Sequence, residues 1–442
     1  MLNRNVPRYT SYPTAPHFTP SVGADIYASW LDALGEHASL SLYLHVPFCA
    51  QLCLYCGCNT KVTLRRPPIK AYAQRLIGEI NLLAGAVGRH RIAHLHWGGG
   101  TPSILGPEGL REIHAALLQA FDLDEVGEHA IELDPRHVTA PLAGALAQIG
   151  VNRASLGVQD LNVSVQNAIG RVQPIATVKN AVAMLAEAGI TKINFDLMYG
   201  LPRQTVNDIR DTIQQAHALS PSRLAVFGYA HVPWMKPHQR LIDEAALPGF
   251  GERQAQAAAA HAALVALGYQ PIGLDHYARQ DDELAAAAAR QGRLHRNFQG
   301  YTADDADALI GLGASAIGRL PQGYVQNAPD IAGYSRAIDA GKFASVKGLA
   351  VTADDRLRGH VIERLMCDLS IDLAAAAGDA GLGRDYFSQE LDSLAPFRRD
   401  GLVDVDGYQI RVSEKGRPFV RILAAVFDLY LQEKPARHSL AV

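Results

Sequence analysis

Residues 41–58 read SLYLHVPFCAQLCLYCGC, a β-rich run that leads directly into four cysteines. The rest of the chain contains only one more cysteine, Cys367, so a disulfide framework is not expected. The first three cysteines have the spacing C-x3-C-x2-C. Three thiolates on one short loop can hold three corners of a 4Fe–4S cluster and leave the fourth iron open to a small molecule. The loop is therefore a candidate reaction centre.

Structural zinc and redox-active thiols are the alternatives for this cysteine group. Zinc sites usually combine two C-x2-4-C pairs separated by a longer spacer, whereas this chain has a single compact group. An iron–sulfur cluster is therefore the favoured interpretation. Cys58 lies only two residues after Cys56, which is close for a fourth ligand of the same cluster. We interpret Cys58 as a thiol near the reaction centre that does not bind the cluster.

Composition limits the class of protein. The 442 residues carry a net charge of −3 and are 48% hydrophobic, which provides for one large domain and a smaller one. We expect no membrane span and no signal peptide, since no sufficiently long apolar run occurs. Oxygen-sensitive thiolates without an export signal indicate the reducing cytoplasm. Nucleic acid is not expected as the main partner because no basic stripe is present. The absence of a coiled-coil pattern favours a monomer.

Short β-rich runs alternate with amphipathic helices from about residue 40 onward. We predict strands at residues 41–47, 92–97, 130–133, 153–158, 193–198 and 224–229. Apolar residues at helical spacing from Ile69 to Leu83 predict one intervening helix. Thr205 followed by Asp208 three residues later predicts the start of another. About six β–α units indicate a parallel sheet with helices outside, either an open sheet or a partial barrel.

Polar or glycine-rich residues follow the ends of these predicted strands. They are the cysteine loop, the Gly-Gly-Gly-Thr-Pro turn at residues 98–102, Glu132, Gln159 and Asp196. In parallel α/β folds, ligands bind at the carboxyl ends of the strands. We therefore expect these groups to converge on one face of the protein.

Three segments are predicted along the chain. Residues 1–38 contain several prolines and aromatic residues and are expected to form an arm over the main domain. Residues 39–345 are expected to form that β–α domain and its extension. Residues 346–442 are expected to form a small helical, winged-helix-like domain, in which Asp406-Gly407 between two alternating runs predicts a β-hairpin.

The cysteine spacing, with an aromatic residue at position 55, resembles the signature of the radical S-adenosylmethionine superfamily. Six further motifs are similar to those of the oxygen-independent coproporphyrinogen III oxidase family, and the similarity extends over almost the whole chain. These motifs are RYTSYPT (residues 8–14), HVPFC (45–49), CGCN (56–59), HWGGGTP (96–102), GVQD (157–160) and RNFQG (296–300). The resemblance implies a partial (β/α)6 TIM-like barrel.

The resemblance also implies a set of site residues. A 4Fe–4S cluster would be held by Cys49, Cys53 and Cys56. A first S-adenosylmethionine would be surrounded by Tyr43, Gly99, Glu132, Gln159, Arg171 and Asp196. A second would be bound at Tyr55, Gly100, Thr101, Ala230 and Ile317. Position 55 is often Phe in the family, so the added hydroxyl of Tyr55 needs a partner if it is buried.

The activity implied is oxidative decarboxylation of two propionates of coproporphyrinogen III to vinyl groups by 5′-deoxyadenosyl radicals. Cys58 and Tyr43 would contribute to catalysis, and a flavodoxin or ferredoxin would supply low-potential electrons. For the substrate, Arg8, Arg153 and Arg296 are candidate partners of its carboxylates. Tyr9, Tyr12 and Phe298 would flank or gate the macrocycle. The alternatives are a haem chaperone or a haem-degrading radical methyltransferase on the same barrel, and a zinc-stabilised binding module.

Overall fold

The structure is a computed structural model that describes residues 5–433, with side chains to residue 431. The outermost parts of the two expected terminal segments, residues 1–4 and 434–442, lie outside the described residues. In the described part of the chain, no helix combines the length and apolar character that crossing a membrane requires.

Six strands lie parallel and in sequence order in one large sheet. They are β1 (Leu40–Val46), β2 (Ile92–Gly99), β3 (Glu128–Leu133), β4 (Arg153–Gln159), β5 (Lys192–Tyr199) and β6 (Arg223–Gly228). Each matches a strand predicted from the sequence to within two residues at either end. The apolar runs form strands because helices cover one face of the sheet and the other face lines the barrel interior.

Helices connect these strands and pack outside the sheet. They are α1 (Arg66–Val87), α2 (Gly106–Ala120), α3 (Ala140–Gln148), α4 (Ile175–Glu187), α5 (Val206–His217) and α6 (Phe250–Ala266). The predicted face of α1 is buried from Ile69 to Leu83. Thr205 and Asp208 form the predicted capping box, in which the Asp208 N–H donates to Thr205 and the Thr205 N–H donates to Asp208 at 2.7 Å. Shorter helices occupy Val163–Ala168, Glu283–Ala288 and Ile331–Asp339.

Additional strands extend the sheet at both edges. A seventh parallel strand, β7 (Ala308–Leu312), pairs with β1, and antiparallel strands Ile317–Leu320, Gly323–Asn327 and Ser345–Ala350 follow it. At the other edge, His276–Ala278 and Gln270–Ile272 run antiparallel to β6. Side chains of both β6 and β7 line one interior cavity, so the sheet curves into a barrel that is not closed by hydrogen bonds. The expected partial barrel is confirmed.

The C-terminal unit contains helices and a small sheet. Its helices are Ala353–Asp368, Leu373–Asp379, Ser388–Ser393, Ala395–Arg399, Val420–Ala424 and Leu429–Glu433. Strands Val403–Asp406 and Gln409–Val412 form the predicted hairpin, and Ser370–Asp372 pairs with the second of them. Gly407 has a φ of 59° in the turn, a conformation that glycine adopts without strain. Since Ser345–Ala350 belongs to the large sheet, the expected boundary at 345/346 cuts off one of its strands. We therefore place the boundary after Ala350.

The N-terminal arm is only partly extended. Helix Ala24–Asp32 buries Tyr27 and Leu31 in the core of the barrel unit. Nearer the N-terminus, Val6, Tyr9 and Tyr12 are buried in the core of the C-terminal unit. The expected arm thus joins the two units, because its aromatic residues belong to the C-terminal core and its helix packs on the barrel.

Candidate functional site

The cysteine loop begins where β1 ends and returns through a short parallel pairing of Phe48–Cys49 with Lys61–Val62. Donor groups contact the sulfur atoms of the three predicted ligand cysteines. These contacts are Thr60 Oγ1 to Cys49 Sγ at 3.2 Å, Thr101 Oγ1 to Cys49 Sγ at 3.5 Å, Arg171 Nη1 to Cys53 Sγ at 3.4 Å and the Cys58 N–H to Cys56 Sγ at 3.4 Å. Such donors stabilise thiolates, and hydrogen bonds to ligand sulfurs tune iron–sulfur clusters.

Three donor-supported sulfurs on one loop fit an iron–sulfur cluster, in which each thiolate binds a different iron. Within residues 5–433, no group of three or more His, Cys, Asp or Glu side chains is arranged to hold a single metal ion. Cys58 is exposed, and its carbonyl accepts a hydrogen bond from Lys236 Nζ at 2.8 Å.

One cavity of about 190 Å³ lies beside the cysteine loop. It is lined by the three predicted ligand cysteines, by Cys58 and by eight of the predicted cofactor residues, namely Tyr55, Gly99, Gly100, Thr101, Glu132, Gln159, Arg171 and Asp196. These residues lie in the cysteine loop, at or beyond the ends of β2, β3 and β4, and in β5. The structure therefore brings together the groups that were expected to converge. Their individual roles stay predictions.

The glycine turn after β2 packs directly against the start of the cysteine loop. The Gly100 N–H donates to the Val46 carbonyl at 2.9 Å, and the Thr101 N–H donates to the Phe48 carbonyl at 2.7 Å. A Cβ atom at Gly100 would lie 2.5 Å from the Phe48 carbonyl oxygen. Gly99 has a φ of 110°, in the range that other residues rarely adopt. The turn therefore requires glycine for close approach as well as for backbone conformation.

Two carboxylates line this cavity in different environments. Glu132 accepts a hydrogen bond from the Gly99 N–H at 3.0 Å, with His96 Nε2 3.4 Å from its other oxygen. Asp196 accepts from Ser155 Oγ at 2.9 Å and from Asn194 Nδ2 at 3.0 Å. Burial and then the charge of Glu132 raise the pKa of Asp196 to about 6. Either group can accept hydrogen bonds from ligand hydroxyls, and Asp196 can also hold a proton near neutral pH.

Arg171 connects the cysteine loop to β4. Its Nη2 donates to the Gly157 carbonyl at 2.7 Å, and its Nη1 lies 3.4 Å from Asp134 as well as contacting Cys53. Its Nε is buried and has no hydrogen-bond acceptor among the described residues. An unused donor in the cavity wall is what a ligand with acceptor oxygens requires. The residues present therefore fit the expected cofactor.

The remaining three predicted cofactor residues lie outside this cavity lining. Tyr43 points from β1 with its hydroxyl 3.0 Å from His45 Nδ1. Ala230 follows β6, and its carbonyl accepts from Gln239 Nε2 at 3.3 Å. Ile317 lines a separate cavity of about 500 Å³ beneath the N-terminal arm. The set proposed for a second S-adenosylmethionine is thus distributed over more than one cavity.

Four of the six candidate substrate residues line that arm cavity. They are Tyr9, Tyr12, Arg296 and Phe298. Tyr9 donates its hydroxyl hydrogen to Asp428 Oδ2 at 3.0 Å, which anchors it to the C-terminal unit. Arg8 points toward the end of β6, where its Nη2 donates to the Gly228 carbonyl at 3.2 Å. The arm therefore supplies groups to two adjacent cavities.

Arg153 is not brought to this end of the barrel. It is the first residue of β4, at the opposite end from the cysteine loop, and its side chain is only 4% exposed. Glu128 and Asp282 bind its guanidinium at 2.7 Å and 3.1 Å. Its positive charge is thereby balanced by carboxylates inside the protein. Because Arg153 begins a predicted strand, the sequence already indicated that it lies at the opposite end from the residues at strand ends.

Sequence reasoning missed Gln239, His238 and Arg136. Gln239 Nε2 donates to the Tyr55 carbonyl at 2.8 Å, and His238 Nε2 lies 2.8 Å from the Cys56 carbonyl oxygen. Arg136 Nη2 lies 3.9 Å from Cys53 Sγ. All three follow the ends of predicted strands, which is the signal that could have marked them.

Comparisons with known proteins agree with this geometry. The sequence model described as the radical SAM superfamily matches residues 43–216, and that of the HemN C-terminal domain matches residues 351–419. The chain is 49% identical to the oxygen-independent coproporphyrinogen III oxidase of Bradyrhizobium diazoefficiens, over 99% of this chain and 97% of that protein. It is 40% identical to the enzyme of that name from Escherichia coli, over 98% and 94% of the two chains. The chain belongs to the oxygen-independent coproporphyrinogen III oxidase family.

A solved structure supports the family assignment at the level of the fold. The structure described as coproporphyrinogen III oxidase (HemN) from Escherichia coli, a radical SAM enzyme, has a TM-score of 0.91 and 38% identity. The match covers 97% of this chain and all of that one. Membership of the coproporphyrinogen III oxidase family and of the radical SAM superfamily implies a 4Fe–4S cluster and S-adenosylmethionine as cofactors.

Proposed function

We propose that this protein is a coproporphyrinogen dehydrogenase, which converts two propionates of coproporphyrinogen III to vinyl groups and yields protoporphyrinogen IX for haem biosynthesis. The observation that carries this proposal is the cavity where three donor-supported cysteines face Glu132, Asp196 and the glycine turn. Coproporphyrinogen III is proposed as the substrate because the chain is similar over its full length to oxygen-independent coproporphyrinogen III oxidases.

When bound, the cluster and S-adenosylmethionine would supply radical chemistry that removes one β-hydrogen from a propionate. Each propionate would thereby lose one hydrogen atom, carbon dioxide and one electron to become a vinyl group. One electron would enter at the cluster and one would leave the substrate for each propionate, and the electron that leaves the substrate needs an acceptor. We assign the low-potential donor to a flavodoxin or ferredoxin and the reaction to the cytoplasm, where thiolates stay reduced.

The chain's own residues orient the cofactors and exclude water. Cys49, Cys53 and Cys56 would hold the cluster, while Glu132 and Asp196 would accept hydrogen bonds from the ribose hydroxyls. Gly99, Gln159, Arg171 and Tyr43 complete the first cofactor site. A second S-adenosylmethionine would be bound by Tyr55, Gly100, Thr101, Ala230 and Ile317. Cys58, which is exposed beside the cluster loop, acts in the reaction and not as a ligand.

The substrate enters between the arm and the barrel. Arg8 and Arg296 bind carboxylates, and Tyr9, Tyr12 and Phe298 border the macrocycle. Arg153 has no part in this assignment, because it is bound to carboxylates at the far end of the barrel. We assign a monomer with an arm at residues 1–38, a barrel unit to residue 350 and a C-terminal unit beyond it.

The test is an anaerobic reaction of reconstituted protein with a reductant, S-adenosylmethionine and coproporphyrinogen III. We expect 5′-deoxyadenosine and vinyl products to appear together, and Cys53→Ala to form neither. Chromatography quantifies both. Cofactor cleavage without any vinyl product would overturn the substrate assignment, and haem binding by fully loaded but inactive protein would favour a haem chaperone. Methylated or ring-opened haem would instead indicate the degrading methyltransferase.

A further inference from the structure

A third cavity, of about 570 Å³, lies between the barrel and the C-terminal unit. We call it the interdomain cavity. Its apolar lining comes from the ends of β5 and β6, the alanine-rich face of α6 and Phe419 of the C-terminal unit. Five arginines, one of them from the arm, also line it, namely Arg8, Arg253, Arg296, Arg417 and Arg421. An apolar cavity with several convergent guanidinium groups is the setting for an amphiphilic anion.

The charges around the interdomain cavity are unbalanced. Against five arginines, the lining contains two carboxylates, Asp275 and Glu414, so the excess is three positive charges. Burial and then the neighbouring charges of Arg8 and Arg296 lower the pKa of Arg421 to about 10. Cations that lower one another's pKa in this way are stabilised by an anion placed between them.

Arg296 has an unused donor in the cavity wall. Its side chain is 4% exposed, and its guanidinium lies 4.4 Å from the centre of the Tyr301 ring. Its Nη1 lies 3.6 Å from Asp275 Oδ1, beyond hydrogen-bond distance, and has no hydrogen-bond acceptor among the described residues. Asp275 therefore compensates the charge of Arg296 only at long range, and a ligand carboxylate in this cavity would give the Arg296 guanidinium a closer acceptor.

The interdomain cavity lies at the same end of the barrel as the cysteine loop. Arg8 donates to the Gly228 carbonyl at the end of β6, and Arg253 Nη2 donates to the Tyr229 carbonyl at 2.9 Å. Phe227 lines both this cavity and the barrel interior, which Asp196 also lines. Arg296 in turn lines both this cavity and the arm cavity. The interdomain cavity therefore adjoins the barrel interior and the arm cavity, and the barrel interior in turn adjoins the cavity beside the cysteine loop.

We propose that the interdomain cavity binds the carboxylates of a tetrapyrrole, with Arg8, Arg253 and Arg296 as carboxylate-binding residues. This inference rests on the proposed function and extends it to the propionates that are not decarboxylated. Those groups are the same in substrate and product. Since binding them does not differ between the ground state and the transition state, loss of an anchoring arginine raises KM with little change in kcat.

The direct test is equilibrium binding of coproporphyrin III, the oxidised and unreactive tetracarboxylate, to cluster-loaded protein without reductant. Fluorescence titration of Arg253→Gln and Arg8→Gln should show affinity weakened roughly tenfold or more, the loss typical of a charged hydrogen bond. Arg8→Gln is the safer variant, because Arg8 is exposed on the arm and its guanidinium donates to the Gly228 carbonyl. Arg210→Gln removes a positive charge at an exposed position of α5 and is the matched control. It should bind coproporphyrin III as tightly as the wild type does.

Further measurements separate this assignment from the proposed reaction. The tetramethyl ester of coproporphyrin III, which lacks the charges, should bind equally weakly to wild type and variants. If Arg253→Gln and Arg8→Gln both bind coproporphyrin III as tightly as the wild type, and the enzyme still forms vinyl product, the cavity assignment is wrong and the proposed reaction stands. Arginine-dependent binding by a wild type that forms no vinyl product supports the cavity and overturns the reaction.

Discussion

Gln239 donates a hydrogen bond from Nε2 to the Tyr55 carbonyl oxygen at 2.8 Å, across 184 positions of sequence. The same nitrogen donates to the Ala230 carbonyl at 3.3 Å, and Gln239 Oε1 accepts from the Val232 N–H at 2.6 Å. Gln239 is fully buried. One amide therefore joins the loop after β6 to the backbone between two predicted ligand cysteines, and the position of the cysteine loop depends on it.

Gln239→Leu should weaken retention of the cluster. The substitution keeps the size of the side chain but leaves three partly buried backbone groups without their partner, at a cost of up to about 1–3 kcal/mol each. We expect lower iron and sulfide content after reconstitution and faster loss of iron to a chelator. Gln119→Leu, at an exposed position of α2, is the matched control. Equal iron content and equal loss rates in the two variants would contradict a positioning role.

The cysteines should divide into ligands and a non-ligand. Cys53→Ala removes the sulfur that faces Arg171 and should abolish the iron–sulfur absorption together with activity. Cys58→Ala should keep the iron–sulfur spectrum and lose decarboxylation, because the substitution retains the backbone N–H that Cys58 donates to the Cys56 sulfur. Electron paramagnetic resonance of the reduced proteins checks both expectations. A Cys58→Ala protein without a cluster would make Cys58 a ligand.

Asp196 should make cofactor binding depend on pH. Burial and the charge of Glu132 raise the pKa of Asp196 to about 6, so its carboxylate is ionised above that pH and protonated below it. An ionised carboxylate accepts hydrogen bonds better, so S-adenosylmethionine affinity should fall up to about tenfold for each pH unit below 6. Asp196→Asn should bind more weakly at pH 8 and lose this dependence. Calorimetric titration at pH 5, 6 and 8 measures this affinity. The same dependence of affinity on pH in the wild type and in Asp196→Asn would exclude a role of Asp196 in cofactor binding.

Glu128 should stabilise the barrel against acid. Burial alone would raise its pKa, but Arg223 and Arg153 hold the pKa of Glu128 at about 2. Because the pKa is lower in the folded state, this stabilisation is complete above the unfolded value of 4.5 and is lost as pH falls toward 2. The difference corresponds to about 3 kcal/mol.

Urea unfolding at pH 7 and pH 3 provides the measurement for Glu128. Glu128→Gln should lose less stability than the wild type between these two pH values. Glu187→Gln, at an exposed position of α4, should behave as the wild type does. A wild-type-like acid dependence in Glu128→Gln would show that the ion pairs with Arg153 and Arg223 do not protect the fold.

Local patterns in the sequence were enough to predict much of the fold. The six parallel strands, the capping box at Thr205 and the hairpin at Gly407 all follow from residues close together in the chain. The rule that ligands bind at the carboxyl ends of strands also predicted that Glu132 and the glycine turn would meet the cysteine loop. These features are predictable because hydrophobic period, capping and turn chemistry act over a few residues.

The sequence by itself thus determined the parallel β–α order and the resemblance to radical S-adenosylmethionine enzymes, whereas the tertiary structure decided that the sheet curves into a barrel and which charges and amides reach the site. Arg153, a candidate from its charge alone, is bound by Glu128 and Asp282 at the far end of the barrel. Arg253 carried no local signal and Gln239 was marked only by following a predicted strand, yet Arg253 lines the interdomain cavity and Gln239 holds the cysteine loop. The physical reason is that a side chain's partners depend on how segments distant in sequence pack together, which local patterns do not encode.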